Sequence, residues 1–378
     1  FYLFLFVLIV PNVVLCFTEP LPLVAKIANV LLPLGCYYLI MTLSRNCGKM
    51  LWILFLFVFF GAFQIVLLYL FGQSIIAVDM FLNLATTNSS EAMELLDNLL
   101  PALITIVILY IPALILGMIS IVRKRTLSVR FIRRERRRAW VVLGAGLVSL
   151  GAAFLLDKKY EMTSDLYPVN VCYNVVLAVE RNARTLDYEE TSKDFTFNAA
   201  ATHPAEDREI YVLVVGETSR ALNWSLYGYD RETNPKLSEV SGLTAFTNVL
   251  TQSNTTHKSV PMLMSAVSAE NFDSIYHQKG IITAFKEAGF KTAFFSNQRY
   301  NNSFIDFFGK EADICDFIKE DAGDGSYNPS DDELLKLVAA ELAENASKQF
   351  IVLHTYGSHF NYRERYPADH AFFLPDFR

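Results

Sequence analysis

Residues 209–220 read EIYVLVVGETSR and decide the fold of the second half of the chain. Six apolar or aromatic residues follow Glu209 without a break, which is typical of a strand buried in a parallel sheet. Gly216 ends this strand, and Glu217 follows it directly. Because ligands bind beyond the carboxyl ends of strands in open α/β sheets, we expect Glu217 at a ligand-binding edge. A solvated turn glutamate or a helix cap is the alternative.

A second polar stretch, TQSNTTHKSVP at residues 251–261, predicts a loop that leads into a helix. Thr256 lies where that helix starts, so free amide groups and the positive end of the helix dipole could bind a phosphoryl group on its hydroxyl. An ordinary N-cap threonine is the alternative, and Thr255 competes for the same role. A carboxylate and a threonine at one sheet edge could share a divalent metal ion, which would make the hydroxyl a nucleophile.

The chain from Glu209 onward alternates strand and helix patterns, which is typical of a parallel sheet with crossover helices. We predict strands at 210–215, 245–250, 292–296 and 350–354, and helices at 258–267, 281–288 and 331–345. Ser330 and Glu333 form a predicted capping box for the last helix.

Polar residues follow two of the predicted strands. Asn297 and Gln298 could bind a polar head group, with an ordinary turn as the alternative. His359 lies in a glycine-containing loop and suits a phosphate contact or general acid catalysis. His354, at a strand end, is interpreted as a hydrogen-bonded structural histidine.

The first 156 residues contain most of the apolar residues of a chain that is 52% hydrophobic. Five apolar runs approach the roughly 20 residues that a membrane-spanning helix needs. They lie at 1–17, 23–43, 50–71, 101–122 and 139–156. A signal peptide is the alternative for the first run, but further spans follow it at once.

Basic residues are concentrated in residues 123–138, which contain nine arginines or lysines and one acid. The net charge of +8 there leaves −14 for the rest of the chain, because the total is −6. A basic cluster can bind nucleic acid, but between apolar segments it fixes membrane orientation, so no nucleic-acid partner is expected. This cluster and the loop with Arg45 and Lys49 belong to the cytoplasm. The amino terminus is then cytoplasmic, and everything after Asp157 lies on the outer side.

The predicted organisation has three parts: a five-span transmembrane domain at 1–156, a bridging segment at 157–208, and an α/β domain from 209 to 378. A helix is predicted within 171–183. The long loop at 72–100 has a capping-box pattern at Asn88, either a surface helix or a polar loop. Cys172 and Cys315 could form a disulfide or remain free thiols. The chain is interpreted as a fragment, trimmed at both ends.

Five motifs together resemble the phosphoethanolamine transferases, inner-membrane enzymes of the sulfatase and alkaline phosphatase superfamily. This group includes the lipid A transferases that confer polymyxin resistance. The motifs are VVGETSR at 214–220, SLYGY at 225–229, RETNP at 231–235, Thr256 with Ser-Val-Pro at 259–261, and Gly-Ser-His at 357–359. The resemblance implies a sulfatase-like domain with a mostly parallel sheet, incomplete at its carboxyl terminus, on the periplasmic side of a bacterial inner membrane.

The resemblance also implies the chemistry. Glu217 and Thr256 would bind Zn²⁺, Thr256 would accept phosphoethanolamine from phosphatidylethanolamine, and His359 would contact the substrate phosphate. The family completes its zinc site with a later Asp-His pair, which we expect beyond Arg378, because Asp369-His370 comes too early. The acceptor would be lipid A or a lipopolysaccharide core sugar. The disulfide that usually brackets the nucleophile is missing here, which favours the cysteine-poor branch with its core-oligosaccharide transferases.

Two other functions compete with this one. A phosphoglycerol transferase would use the same membrane anchor and superfamily fold with phosphatidylglycerol as donor. A membrane-bound sensor would bind lipid head groups without catalysis. A sulfatase is disfavoured because Ser259-Val260-Pro261 is followed by Met262-Leu263 and lacks the required arginine.

Overall fold

The computed structural model describes residues 1–72, 75–86, 99–320, 328–359 and 362–375, with the backbone alone at 84–86. The described chain forms two compact units, one from Phe1 to Glu180 and one from Arg181 onward. The boundary falls inside one helix of the predicted bridging segment. The predicted domain limits at 156 and 208 stay predictions, and the predicted capping box at Asn88 lies outside the described residues.

The first unit is helical. Its helices are α1 (Tyr2–Thr18), α2 (Leu23–Met41), α3 (Cys47–Ile53), α4 (Phe55–Phe71), α5 (Val78–Thr86), α6 (Leu100–Val122), α7 (Val129–Leu156) and α8 (Met162–Asp165). Helix α9 (Val169–Leu186) follows and crosses into the second unit, which confirms the predicted helix at 171–183.

Three of the described helices, α2, α6 and α7, are long and apolar enough to cross a membrane. The pair α3 and α4 would make a fourth span, although the two helices are bent by 62°. Helix α1 is apolar but has only 17 residues. Helices that could span a membrane are therefore found where the sequence predicts them, and the count of five stays a prediction.

Helices α2 and α7 cross closely because glycines lie at their contact. A Cβ atom on Gly146 would approach the Cα atom of Leu32 to 2.7 Å, and one on Gly35 would approach the Cα atom of Leu143 to 2.6 Å. Small residues allow this close approach where helices associate without a hydrophobic driving force.

The second unit contains four strands among the described residues: β1 (Glu209–Val215), β2 (Lys291–Ser296), β3 (Ile314–Phe317) and β4 (Lys348–His354). Its helices are α10 (Tyr188–Thr191), α11 (Pro235–Ser238), α12 (Thr256–Leu263), α13 (Ile281–Glu287), α14 (Phe304–Gly309) and α15 (Glu333–Ala343). Short 3₁₀ segments include Ala221–Asn223, Ser225–Tyr227, Ala269–His277, Tyr362–Arg365 and Ala368–His370.

The strands form one parallel sheet in the order β1-β4-β2-β3. Val215 pairs with His354, and Ser296 pairs with His354 from the other side. The carboxyl ends of β1, β4 and β2 therefore coincide, and the loops that follow them meet at one edge of the sheet. This confirms the predicted α/β domain with a parallel sheet.

Two hydrophobic clusters cover the central strands. Phe294, Phe350 and Val352 pack on one face with residues of α12, α13 and α14. Phe295 and Ile351 pack on the other face against α15. Strand β4 is buried along its whole length, whereas β1 at the end of the sheet is partly exposed.

Two predicted elements need correction. Residues 245–250 form no strand, and all six residues are exposed. The fourth strand is β3 instead, a short run interrupted by Asp316. Helix α15 is capped by Asp332 without a side-chain bond, so the predicted capping box at Ser330 does not form. All five cysteines are free thiols.

Candidate active site

The structure brings Glu217 and Thr256 into direct contact. The Thr256 hydroxyl donates a hydrogen bond to Glu217 Oε2 at 3.0 Å, although 39 residues separate the two in sequence. Glu217 follows β1 after a single glycine, and Thr256 is the first residue of α12. The two oxygens at the sheet edge are thus positioned by a strand end and a helix start.

Thr218 adopts a backbone conformation that a β-branched residue rarely accepts. Its φ angle is +52°, in the left-handed region. In this conformation its hydroxyl donates to Glu217 Oε1 at 2.7 Å. Both carboxylate oxygens of Glu217 therefore accept from threonine hydroxyls. Backbone strain of this kind concentrates at functional sites, where the surrounding structure enforces it.

The loop after β4 packs against the backbone of Glu217. The amide of Ser358 donates to the Glu217 carbonyl at 3.1 Å, and the amide of Thr355 donates to the Val215 carbonyl at 3.1 Å. A Cβ atom on Gly357 would come within 2.7 Å of the Glu217 carbonyl oxygen. Glycine is required here for two reasons, this close approach and a φ angle of +51°.

Asp331, just before α15, connects the loops that follow β2 and β4. Its carboxylate accepts from the amides of Tyr356 (2.8 Å) and Gly357 (3.0 Å) and from Asn297 Nδ2 (2.8 Å). Asn297 Nδ2 also donates to the carbonyl of Pro329 at 2.9 Å, and the residue is 1% exposed. The structure therefore gives Asn297 a positioning contact within the sheet edge. Its predicted contact with substrate stays a prediction.

Gln298 and His354 also lie at this edge. Gln298 Nε2 donates to the carbonyl of Thr355 at 2.9 Å and so joins the loops after β2 and β4. His354 is 2% exposed, and its Nδ1 lies 3.4 Å from Ser296 Oγ. Burial lowers the pKa of His354 to about 4, against a partial opposing effect of the Asp331 carboxylate. His354 is therefore neutral at pH 7 and acts structurally, as the sequence predicts.

His359 lies at the end of the same loop and stacks on Tyr356, with ring centroids 4.8 Å apart and an interplanar angle of 16°. The Arg365 guanidinium lies 4.1 Å from the Tyr356 ring centroid, and Lys319 Nζ lies 2.9 Å from it. This cluster of aromatic and basic side chains keeps positive charge near the loop after β4.

The contact between Glu217 and Thr256 fits half of a zinc site. A tetrahedral zinc with bonds of about 2.0–2.2 Å separates two ligand oxygens by about 3.3–3.6 Å, close to the observed hydrogen-bond distance. Within the described ranges, no three His, Cys, Asp or Glu side chains cluster to bind a metal. Asp369 and His370 are exposed and belong to no such group.

A cleft of about 570 Å³ is lined by Thr218, the residue after Glu217. Its lining also includes Arg220, Trp224, Ser358 and Tyr362. The sequence did not predict a role for these residues or for Asp331. The motifs at 214–220 and 357–359 contain Thr218, Arg220 and Ser358, but no residue pattern there indicates a cleft, and Trp224 and Tyr362 lie outside every motif. Asp331 is a common residue at a helix start, and nothing in its spacing shows that it bonds three groups from other segments.

Residues 209–377, which contain the parallel sheet and this pair of residues, match the family model described as Sulfatase. Two curated relatives are phosphoethanolamine transferases. Phosphoethanolamine transferase CptA of Salmonella typhimurium is 32% identical over 178 residues, which cover 45% of this chain and 31% of the relative. Kdo(2)-lipid A phosphoethanolamine 7''-transferase of Escherichia coli is 31% identical over 196 residues, 49% of this chain and 33% of that protein.

Two solved structures also match. The integral membrane protein lipooligosaccharide phosphoethanolamine transferase A from Neisseria meningitidis aligns with a TM-score of 0.69 and 21% identity, covering 99% of this chain and 72% of that one. It shares the fold, helical region included. The periplasmic domain of EcEptC from Escherichia coli, solved in complex with Zn, aligns with a TM-score of 0.43 and 28% identity over 47% of this chain and 53% of that chain.

These matches support the predicted family, the phosphoethanolamine transferases of the sulfatase superfamily. The matches to CptA and to the lipid A enzyme span about a third of the length of those relatives, 31% and 33%. The activity, substrates and partners of the whole protein are therefore a proposal.

Proposed function

We propose that this protein transfers phosphoethanolamine from phosphatidylethanolamine to lipid A or a lipopolysaccharide core sugar, with Thr256 as the nucleophile. The observation that carries this proposal is the 3.0 Å contact of the Thr256 hydroxyl with Glu217 Oε2 at the carboxyl edge of the sheet. Relatives that share this part of the chain transfer phosphoethanolamine, which supports the same reaction type here.

The residues of this chain account for the first half of the reaction. Thr256 Oγ1 attacks the phosphorus of the donor while the bond from phosphorus to the diacylglycerol oxygen breaks. Before the attack, the Thr256 hydroxyl donates its proton in the hydrogen bond to Glu217 Oε2. The departing diacylglycerol oxygen gains a proton. The acceptor hydroxyl or phosphate then attacks phospho-Thr256, which restores the threonine.

Several groups would stabilise the phosphoryl group on Thr256. The amides at the start of α12 and the helix dipole favour negative charge there. His359, stacked on Tyr356, would contact the phosphate from the loop after β4. Thr218 and the Gly357 loop keep Glu217 in place while charge develops, which avoids reorganisation in the transition state.

Zinc is the proposed cofactor, and Glu217 and Thr256 would hold it together with further ligands. When bound, it would lower the pKa of the threonine hydroxyl and neutralise phosphate charge. Glu217 contributes the carboxylate that orients this hydroxyl.

The membrane-spanning helices fit a lipid donor and a lipid-linked acceptor, because a membrane anchor raises the effective concentration of both. We place the catalytic domain in the periplasm of a bacterium and the amino terminus in the cytoplasm, as the charge distribution predicts. The proposed partners are phosphatidylethanolamine, the acceptor glycolipid and the surrounding membrane lipids.

The test uses the full-length protein in membranes with head-group-labelled phosphatidylethanolamine. We expect label on Thr256 of the wild type, detected by mass spectrometry of the peptide, and a loss of transfer of at least about a thousandfold in Thr256→Ala because the nucleophile is gone. Labelled phosphatidylglycerol serves as the control donor. Transfer by Thr256→Ala near the wild-type rate contradicts the proposal. Preferred use of labelled phosphatidylglycerol shows instead that the protein is a phosphoglycerol transferase.

A further inference from the structure

The cleft lined by Thr218 and the residues after it contains a basic side chain. Arg220 is exposed and lines the cleft, and its guanidinium makes no hydrogen bond or ion pair within the described residues. A guanidinium forms its strongest pairs with phosphate or carboxylate groups, to which it can donate two parallel hydrogen bonds. Arg220 lines this cleft together with Thr218, whose hydroxyl donates to the Glu217 carboxylate.

Two aromatic side chains line the same cleft. Trp224 is half-buried, and its Nε1 donates to Ser219 Oγ at 3.0 Å, which fixes the indole in place. Tyr362 lines the cleft with 45% of its surface exposed. Flat aromatic surfaces with a polar rim suit a ligand that is itself part apolar and part polar, such as a sugar ring.

The segment that carries these groups is internally bonded. Thr233 Oγ1 donates to the carbonyl of Asn223 at 2.7 Å and accepts from the amide of Ser225 at 3.0 Å. Asn234 Oδ1 accepts from Ser225 Oγ at 2.7 Å and from the amide of Leu226 at 3.0 Å. The wall of the cleft is thus pre-organised, which lowers the entropy that a ligand loses on binding.

We propose that this cleft binds the acceptor of the transfer, a sugar that carries a phosphate or carboxylate group, and that Arg220 and Trp224 determine its specificity. Arg220 pairs with the anionic group, and Trp224 and Tyr362 pack against the sugar. The inference rests on the proposed function, because it assigns the second substrate of the same reaction. The phosphodiester of the donor offers Arg220 the same charge, but it has no sugar ring for the aromatic side chains.

The experiment separates the two half-reactions in the full-length protein. Labelling of Thr256 from labelled phosphatidylethanolamine is measured first, without acceptor. Transfer to Kdo2-lipid A is measured next over a range of its concentrations. We expect Arg220→Gln to label Thr256 within about twofold of wild type but to raise the acceptor KM at least about tenfold, the size of one charge-assisted hydrogen bond.

Trp224→Ala should also raise the acceptor KM, whereas Trp224→Phe, which keeps an aromatic face, should stay within about threefold. Lys236→Gln removes one positive charge from the exposed helix α11 outside the cleft and serves as the matched control with an unchanged KM. Slow labelling of Thr256 in Arg220→Gln overturns the proposal, because the arginine would then serve the donor. An unchanged acceptor KM overturns it as well.

A binding measurement keeps this inference separate from the proposed function. Kdo2-lipid A is titrated into Thr256→Ala protein, which cannot transfer, and into the double variant with Arg220→Gln. We expect at least about tenfold weaker binding by the double variant. Equal binding overturns the cleft as acceptor site. Failure of the wild type to label Thr256 instead refutes the proposed function, and the binding measurement still decides the role of the cleft.

Discussion

Two buried titratable side chains of the second unit respond to pH in opposite directions. His354 and Asp306 are each 2% exposed. Burial lowers the pKa of His354 to about 4 from 6.5, and burial raises the pKa of Asp306 to about 6 from 3.8, although the amides of Asn301 and Ser303 donate to its carboxylate and oppose the rise. Each residue therefore links the stability of the fold to pH over nearly the same range.

The signs follow from which state binds the proton. Between pH 6.5 and about 4 the unfolded chain protonates His354 and the folded chain does not, so this residue lowers stability as pH falls. Between pH 3.8 and about 6 the folded chain keeps a proton on Asp306 that the unfolded chain has released, so stability falls as pH rises. Each effect is on the order of 2–3 kcal/mol, and the two largely cancel in the wild type.

Single variants should reveal separately how His354 and Asp306 make stability depend on pH. Asp306→Asn leaves the His354 effect alone, so stability should rise as pH increases from 4 to 6. His354→Gln leaves the Asp306 effect, so stability should fall over the same range. Amide hydrogen exchange of β2 and β4 in the full-length protein measures the free energy of opening. Profiles parallel to that of the wild type in both variants would contradict this assignment.

The loop after β4 determines where the Glu217 carboxylate lies. It contacts Glu217 through Gly357 and Ser358, and Asp331 fixes the loop from the other side. The register of the sheet brings these segments together, because Val215, His354 and Ser296 are aligned.

Gly357→Ala should displace this carboxylate. Its Cβ would approach the Glu217 carbonyl to 2.7 Å, and the strained backbone adds about 1–2 kcal/mol. Gly242→Ala is the matched control, with φ of +80° and no atom within 4 Å of its Cβ. Both variants should lose stability through the strained backbone, and Gly357→Ala should lose more because of its clash, but only Gly357→Ala should lower transfer, by at least about tenfold. Equal transfer rates in the two variants, measured with labelled phosphatidylethanolamine, would refute this role of the loop.

The crossing of α2 and α7 gives a prediction for the first unit. Gly146→Ala would bring a Cβ within 2.7 Å of the Leu32 backbone, so the helices must separate, at about 1–3 kcal/mol. Gly144→Ala, on the same helix with no atom within 4 Å, should cost nothing. Unfolding in detergent, followed by the fluorescence of Trp140 in α7, compares the two variants. Equal stabilities would show that the helices adapt without loss.

The sequence predicts elements well where one local pattern is enough. Three of the four strands and the helix after Gly280 begin within two residues of the prediction, because each contains an apolar run that a local pattern can detect. Residues 245–250 are less apolar, since they include Thr247 and Asn248, and strand formation also needs a neighbouring strand that no local pattern reports. The sequence predicts that Glu217 and Thr256 meet at one sheet edge, because Glu217 follows a strand and Thr256 starts a helix. The bonds of Asp331 and the left-handed conformation of Thr218 depend on residues far away in sequence and could not be predicted.

The uneven charge of the whole molecule predicts its orientation. Residues 123–138 carry +8 and the rest −14, so this segment should stay in the cytoplasm. A reporter that is active only in the cytoplasm should work when fused after Thr126, and alkaline phosphatase, active only outside, should work when fused after Asp194. Changing Arg133, Arg134 and Arg137 to Glu should reduce the second activity. Alkaline phosphatase activity at Thr126 in the wild type would contradict this orientation.

Strand β1 has a practical consequence for work with the second unit alone. It pairs only with β4 among the described strands, and Val212 and Val214 are 46% and 58% exposed. Within the described residues, the edge of β1 away from β4 has no strand partner, and this edge together with the exposed apolar side chains forms a template for another β-strand. A polypeptide excised at residues 209–375 should therefore self-associate through β1 and precipitate at high concentration. Lysine in place of Val214 should keep it dispersed, since an outward charge on this strand blocks such pairing.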